Sequence, residues 1–267
     1  MTSTATSRGG GWDPEQYARF REERTRPFHD LAALVQPQPG LRVIDLGCGT
    51  GELTAWLHGH LGARETLGVD SSEAMLAGSS AYTGGGLRFE RADIVGVAPE
   101  RLGTFDLVFS NAALQWVTGH EELFPRLLRL LRPGGQLAVQ MPANSGHVSH
   151  RTAGLVAREQ PYAGALGGWV REDPVQEPEW YAELLYDHGV AAQRVRHEVY
   201  GHTLESPRAI VEWVKGSLLT AYQQRLPDEL YERFVADYEA RLVAELGDRS
   251  PYFYPFRRLL LWARLPA

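Results

Sequence analysis

Val43-Ile44-Asp45-Leu46-Gly47-Cys48-Gly49-Thr50-Gly51 decides the fold. An apolar run over 41–46 ends on three glycines at alternate positions, and an amphipathic helical pattern starts near Glu52. Glycines in such a turn adopt positive φ and let the backbone approach a ligand that a Cβ would exclude. The helix start behind them offers free N–H groups to an anionic group. A dinucleotide-binding fingerprint spaces its glycines at the first, third and sixth positions. Here they stand at the first, third and fifth, with Asp45 two residues ahead. A tight strand-to-helix turn that held no ligand would not need three glycines in five residues.

Outward from that turn the pattern alternates. Strands are expected at 41–46, 65–70, 87–91, 105–110 and 136–141, and helices at 53–61, 72–81 (opened by a serine cap) and 120–131. Segment 105–110 is almost wholly apolar, as a central parallel strand buried on both faces must be. Strands joined by helices imply an α/β, doubly wound parallel sheet with right-handed crossovers. Such sheets bind ligands outside the carboxyl ends of their strands, where the glycine turn, Asp70, Asp93 and Asn111 fall.

Past residue 142 the rhythm breaks. Helical pattern covers 147–159, a Gly/Pro-rich stretch 162–178, and a helix 179–188 ended by Gly189. Residues 190–203 alternate as a strand, 206–246 are helical with an interruption near Pro227, and 257–265 form a last strand. The last two strands complete a seven-stranded, Rossmann-like sheet. Four regions follow: a disordered tail (1–11), an N-terminal helical lid (12–36), a ligand-binding core (37–142), and 143–267, helical lid insertions plus the final strands. The insertions 143–177 and 206–252 are expected to lie over the strand ends, where loops usually carry function.

Composition narrows the class. The chain has 267 residues, a net charge of −6 and one cysteine. Nucleic-acid binders release counterions through clustered cations, so an acidic chain argues against a nucleic-acid partner. No run of about 18 apolar residues exists to span a membrane. The first eleven residues lack the apolar segment of a signal peptide. A single thiol, Cys48, makes no internal disulfide and fits a reducing cytoplasm. It reads as a small side chain packed under the turn. His147 and His150 stand three apart on a helix without a companion Cys or acid cluster, so no metal is expected.

The glycine turn, its preceding acid and Asp70 at the end of the next strand resemble motif I of the class I S-adenosylmethionine (SAM)-dependent methyltransferases. Further segments resemble one family among them, the trans-aconitate 2-methyltransferases. They are Trp12-Asp13-Pro14 with Tyr17, Phe20, Arg24, Arg26 and Pro27, then Asp70-Ser71-Ser72 and Asn111-Ala112-Ala113-Leu114-Gln115-Trp116, then Val139-Gln140-Met141-Pro142 and Tyr254-Pro255-Phe256-Arg257-Arg258. The matches run from residue 12 to about 262. Family members more often read Gly-Pro-Gly where this chain has Gly49-Thr50-Gly51.

The resemblance implies SAM as cofactor, S-adenosylhomocysteine (SAH) as product, and esterification of one carboxylate of trans-aconitate or a related small polycarboxylic acid. Asp45 and the carbonyls of Gly47, Cys48, Gly49 and Gly51 would face the ammonium and sulfonium. Asp70 would hold the ribose diol, Ser71 and Met75 would line the adenine slot, and Asp93 with Ile94 would read adenine; Asn111 completes the cofactor set. A carboxylate is already ionised at neutral pH, so no general base and no catalytic side chain is expected. Alignment alone can supply roughly 7–11 kcal/mol. Recognition of a tricarboxylate calls for arginines: Arg24, Arg26 and one of Arg257 and Arg258, since adjacent strand residues point to opposite faces. Tyr17 and Phe20 flank the first pair. An arginine on the reacting carboxylate would blunt its nucleophilicity, so that group falls to the neutral donors Gln115, Trp116, Gln140 and Asn144. Two other assignments fit the same motifs: a methyltransferase acting on quinones or natural products, and a SAM- or SAH-binding protein without turnover.

Overall fold

The computed structural model describes residues 21–267, with side chains from Thr25 onward. The elements follow the predicted alternation: α1 (Arg21–Ala32), β1 (Arg42–Leu46), α2 (Glu52–Leu61), β2 (Glu65–Asp70), α3 (Glu73–Leu76), β3 (Leu87–Arg91), α4 (Pro99–Leu102), β4 (Phe105–Asn111), α5 (His120–Arg129) and β5 (Leu131–Pro142). Then come α6 (Val148–Ala157), α7 (Tyr162–Ala165), α8 (Pro178–Asp187), β6 (Ala192–Leu204), α9 (Ala209–Lys215), α10 (Thr220–Gln223), α11 (Asp228–Leu246) and β7 (Tyr252–Arg264).

The seven strands form one sheet in the order β3-β2-β1-β4-β5-β7-β6. β1 to β5 pair in parallel, and β7 runs antiparallel to β5. β7 enters beside the carboxyl end of β5, with Arg258 opposite Pro142, so it can only run back. It also starts five residues before the predicted strand, at Tyr252. The helix expected over 72–81 is shorter: α3 stops at Leu76, and a 3₁₀ turn covers Ser79–Tyr82. Gly78 between them explains the break. The helical stretch 206–246 is three helices, the last preceded by Pro227.

Each sheet face has its own core. On one, Ile44, Leu67, Val108, Val139, Leu259 and Leu261 pack with Leu123, Phe124 and Leu127 of α5. On the other, Val43, Phe109 and Ala138 pack with Phe28 and Leu31 of α1 and Leu57 of α2. Phe28 meets Phe109 at 4.9 Å between centroids. Burying each such side chain is worth about 1.5–3 kcal/mol, and that burial fixes which face every strand residue takes. The chain divides into two compact units. The first is residues 22–143, 173–200 and 256–267, which include the glycine turn; the second is built from 144–172 and 201–255. No described helix is long and apolar enough to cross a membrane.

Candidate active site

The turn after β1 has the backbone its glycines demand. Gly47, Gly49 and Gly51 have φ of +80°, +58° and +83°. A Cβ on Gly47 would lie 2.2 Å from Ala113 Cβ, and one on Gly51 would lie 2.7 Å from the Phe89 ring. The N–H groups of Gly47 and Cys48 both donate to the Val69 carbonyl, at 2.8 and 3.0 Å, which ties the turn to β2.

Two carboxylates frame it. Asp45 is almost wholly buried, and its Oδ2 accepts from Thr54 Oγ1 at 2.6 Å. Burial pushes its pKa up to about 7; the Thr54 hydrogen bond opposes this, and the Asp70 charge adds to it. Asp70 Oδ2 accepts from the Gly49 N–H at 3.0 Å and Oδ1 from the Ser72 N–H at 2.9 Å. Each oxygen keeps further acceptor capacity in a fixed orientation, as a bidentate acceptor for a diol requires. Cys48 is buried, and desolvation with the charges of Asp45 and Asp70 pushes its thiol above its ordinary range.

Around the turn, Met75 Cε would sit 3.2 Å from a Cβ on Gly49, and Ile94 Cδ1 3.9 Å from one on Gly47. Both belong to the turn's apolar surroundings. Ser71 is exposed, and its carbonyl accepts from Arg91 Nε at 3.2 Å. Asp93 is exposed and caps its own turn, Oδ1 accepting from the Val95 N–H at 2.9 Å. A capping aspartate keeps its second oxygen for a ligand.

A second group forms at the carboxyl ends of β4 and β5, beside the middle of β7. Asn111 stands opposite Gln140, Gln140 opposite Leu260, and Pro142 opposite Arg258. Alternation then puts Asn111, Gln140 and Arg258 on one sheet face, with neighbouring strands about 4.8 Å apart. Gln140 is fully buried, and neither its Nε2 nor its Oε1 has a partner. Asn111 Oδ1 and Gln115 Oε1 are also buried and unpaired, while Gln115 Nε2 donates to the Ala112 carbonyl at 2.7 Å. Ala112 has φ +53°, the one non-glycine residue with positive φ among those described. Its N–H donates to the Gln140 carbonyl at 2.9 Å.

Arg258 is 5 % exposed; its guanidinium lies 4.9 Å from the Phe256 ring centroid and 5.6 Å from that of Tyr200. Tyr200 donates its hydroxyl to Asp30 Oδ2 at 2.8 Å. Arg26 lies 5.5 Å from the same ring, 3.8 Å from Asp30, and is exposed. Arg257 points to the opposite face, 2.9 Å from His197 Nδ1 and 3.8 Å from Glu177. The structure therefore puts Asn111, Gln140 and Arg258 on one sheet face, holds Gln115 on the Ala112 carbonyl, and leaves Arg257 out. Trp116 is 49 % exposed on the 3₁₀ turn Leu114–Trp116. Asn144 belongs to the second unit and donates to the Tyr254 hydroxyl at 3.2 Å. Tyr17 and Phe20 lie outside the described residues, as does the side chain of Arg24.

Sequence reasoning missed Thr54, Asp30 and Tyr200. A hydroxyl one turn into the helix behind a buried acid was a readable signal for Thr54. Asp30 and Tyr200 stand 170 residues apart, and nothing local links them.

A ligand with a cationic centre and a ribose fits the first group. Asp45 supplies a buried acid that a neighbouring cation would ionise, Asp70 a fixed bidentate acceptor, and the glycines a surface that Cβ atoms would fill. A family model described as a methyltransferase domain matches residues 43–135. Trans-aconitate 2-methyltransferase of Deinococcus radiodurans is 43 % identical over 261 residues, covering 96 % of this chain and 98 % of its own. That of Variovorax paradoxus is 42 % identical over 95 % of this chain and 96 % of its own. Among solved structures, the Haemonchus contortus phosphoethanolamine N-methyltransferase 2 complex with SAH has a TM-score of 0.58 at 18 % identity, covering 98 % of this chain and 60 % of that one. YcgJ of Bacillus subtilis has a TM-score of 0.57 at 14 % identity, over 91 % and 99 %. At those identities the structural likeness speaks for the fold alone.

Proposed function

The chain belongs to the trans-aconitate 2-methyltransferase family, a family of SAM-dependent enzymes, and from that premise we propose that it esterifies one carboxylate of trans-aconitate, releasing the monomethyl ester and SAH. Bound SAM supplies an electrophilic sulfonium methyl. Asp45, Asp70, Met75, Asp93, Ile94 and the turn at 47–51 would hold it, with Asn111 and Ser71 at the margins.

What the chain must do for the acid is orient it. The acid's carboxylates are ionised at neutral pH, so no side chain has to remove a proton. Arg258, desolvated between two aromatic rings, offers a rigid fork to a carboxylate that does not react. Gln140 offers a neutral amide to the one that does, which leaves its lone pairs nucleophilic. Desolvation strengthens both contacts, and holding the reactants in attack geometry lowers the barrier by roughly 7–11 kcal/mol.

One observation carries this reading: a wholly buried glutamine with both amide atoms unpaired stands on the sheet face of a buried arginine. Burying such an amide unpaired costs about 1–3 kcal/mol, and a carboxylate accepting from Nε2 would offset the donor's share of it. The test is incubation with methyl-labelled SAM and a panel of organic acids. Base-labile label on trans-aconitate is expected. Label appearing only on aromatic or isoprenoid acceptors would overturn the proposal.

A further inference from the structure

The second unit carries a polar network separate from the residues grouped at the glycine turn and around Gln140. Ser149, fully buried in the first turn of α6, is its hub. Its Oγ lies 2.9 Å from His147 Nδ1, 3.1 Å from His150 Nδ1 and 3.2 Å from the Tyr254 hydroxyl. Asn144 Nδ2 donates to that same hydroxyl. His147 also caps α6, its Nδ1 accepting from the Ser149 N–H at 3.1 Å.

Among the described residues of this unit, two buried hydroxyls are left without a partner. The Thr152 hydroxyl, one turn along α6, is 1 % exposed and has no partner. The hydroxyl of fully buried Tyr238 on α11 also has none, and it lies within electrostatic reach of Tyr254. Two unspent O–H groups in a dry interior cost about 1–3 kcal/mol each unless something accepts from them. Each of these hydroxyls has an O–H to donate as well as lone pairs that accept, so the choice between a donor and an acceptor partner falls to the local potential. That potential favours an anionic acceptor. The network sits at the N-terminus of a ten-residue helix. Burial, with Arg171 and His147 adding to it, holds His150 down to about 3, so its imidazole is neutral. Glu245, whose charge reaches His147, is held by Arg151 at 2.8 Å.

We propose that the hydroxyls of Thr152, Tyr238, Ser149 and Tyr254, with the cationic side chain of Arg171 nearby, form a carboxylate-binding site in this unit, for one carboxyl group of a small organic acid. A carboxylate offers about four lone-pair sites, enough to take every unspent donor. In naming trans-aconitate as the probe, the inference rests on the substrate class proposed above. The same chemistry could serve the substrate itself or a second acid acting as effector, and the experiment separates the two.

The variant is Thr152→Val with Tyr238→Phe, which removes the unpaired hydroxyls and keeps the volume. Its melting temperature is expected to match or exceed wild type. With SAH present to prevent turnover, calorimetry with trans-aconitate should give a Kd at least about tenfold weaker than wild type, the loss of one hydrogen bond to a charged group being worth that much and the loss of two more. The Kd of SAH should not move. In parallel, the His150 ring resonance, read by NMR on histidine-labelled protein, should shift with acid in wild type and not in the variant. If KM for trans-aconitate rises in the variant, the acid is the substrate. If KM holds while a citrate-induced His150 shift is lost, it is an effector. Wild-type turnover with unchanged KM, unchanged Kd and a silent His150 resonance for both acids would overturn the site and leave the proposed function standing. No methylation of trans-aconitate, with a citrate-induced shift that the variant abolishes, would overturn that function and leave the site.

Discussion

The most exacting test of the cofactor site is the pH dependence of SAM affinity. Asp45 is buried, and in the unliganded protein its carboxyl titrates at about 7. The sign follows from that. A folded pKa above the unfolded 3.8 means that the stability present at low pH is lost as pH rises through about 7. At pH 8 the unliganded protein therefore carries an ionised, desolvated acid. A cationic ligand beside it reverses the preference and pulls the pKa back toward about 4, the ordinary carboxylate value. Binding below pH 7 must then expel the proton. At pH 6 about ten in eleven molecules hold it, so apparent affinity should fall about tenfold between pH 8 and pH 6, near 1.4 kcal/mol. The assay is titration calorimetry across that range in buffers of different ionisation heat, which should report about 0.9 proton released per SAM at pH 6. Asp45→Asn should bind SAM weakly and without pH dependence. It should also melt above wild type at pH 8, because the amide can still accept from Thr54 and carries no charge. An affinity constant within twofold from pH 6 to 8, with no proton released, would refute the placement of the donor's cation at Asp45.

Three further outcomes are expected. Gln140→Leu should raise the melting temperature by several degrees, at about 2–4 °C per kcal/mol for a chain of this size, while kcat/KM for the acid falls at least about tenfold and SAH affinity holds; a variant less stable than wild type would mean that the amide has a partner. Arg258→Gln should raise KM for a tricarboxylate far more than for a monocarboxylate, whereas Arg257→Gln, on the opposite face, should leave both within about twofold; steady-state kinetics with the two acids checks this. Gly47→Ala puts a Cβ 2.2 Å from Ala113 Cβ at a φ of +80°, so SAM binding measured by calorimetry should be lost even where circular dichroism reports a folded protein.

Much of this was legible because it is local. Three glycines at alternate positions after an apolar run state the turn, since each carries a φ that other residues resist. Burial on both faces states β4, whose residues 105–110 are all buried. What failed was also local in origin. Propensity carried the helix at 72–81 through Gly78, and the strand at 257–265 could not be traced back to Tyr252 through Pro255, which breaks the pattern without breaking the strand.

The candidate site shows where sequence reasoning stops. Parity alone says that Arg257 and Arg258 face opposite ways. Which of them shares a face with Gln140 depends on pairing register between strands more than a hundred residues apart, and register is set by burial of the whole face. Once Gln136 stands opposite Arg264 and Pro142 opposite Arg258, the even-numbered residues of both strands fall together, and the choice is made. The same logic explains Tyr200 and Asp30. Neither belongs to a motif, yet their hydrogen bond, 170 residues apart in sequence, fixes the ring beside the Arg258 guanidinium. A motif names the group that meets a ligand. The groups that hold it in place are chosen by topology, and a buried arginine is only as selective as the ring and the carboxylate that keep it still.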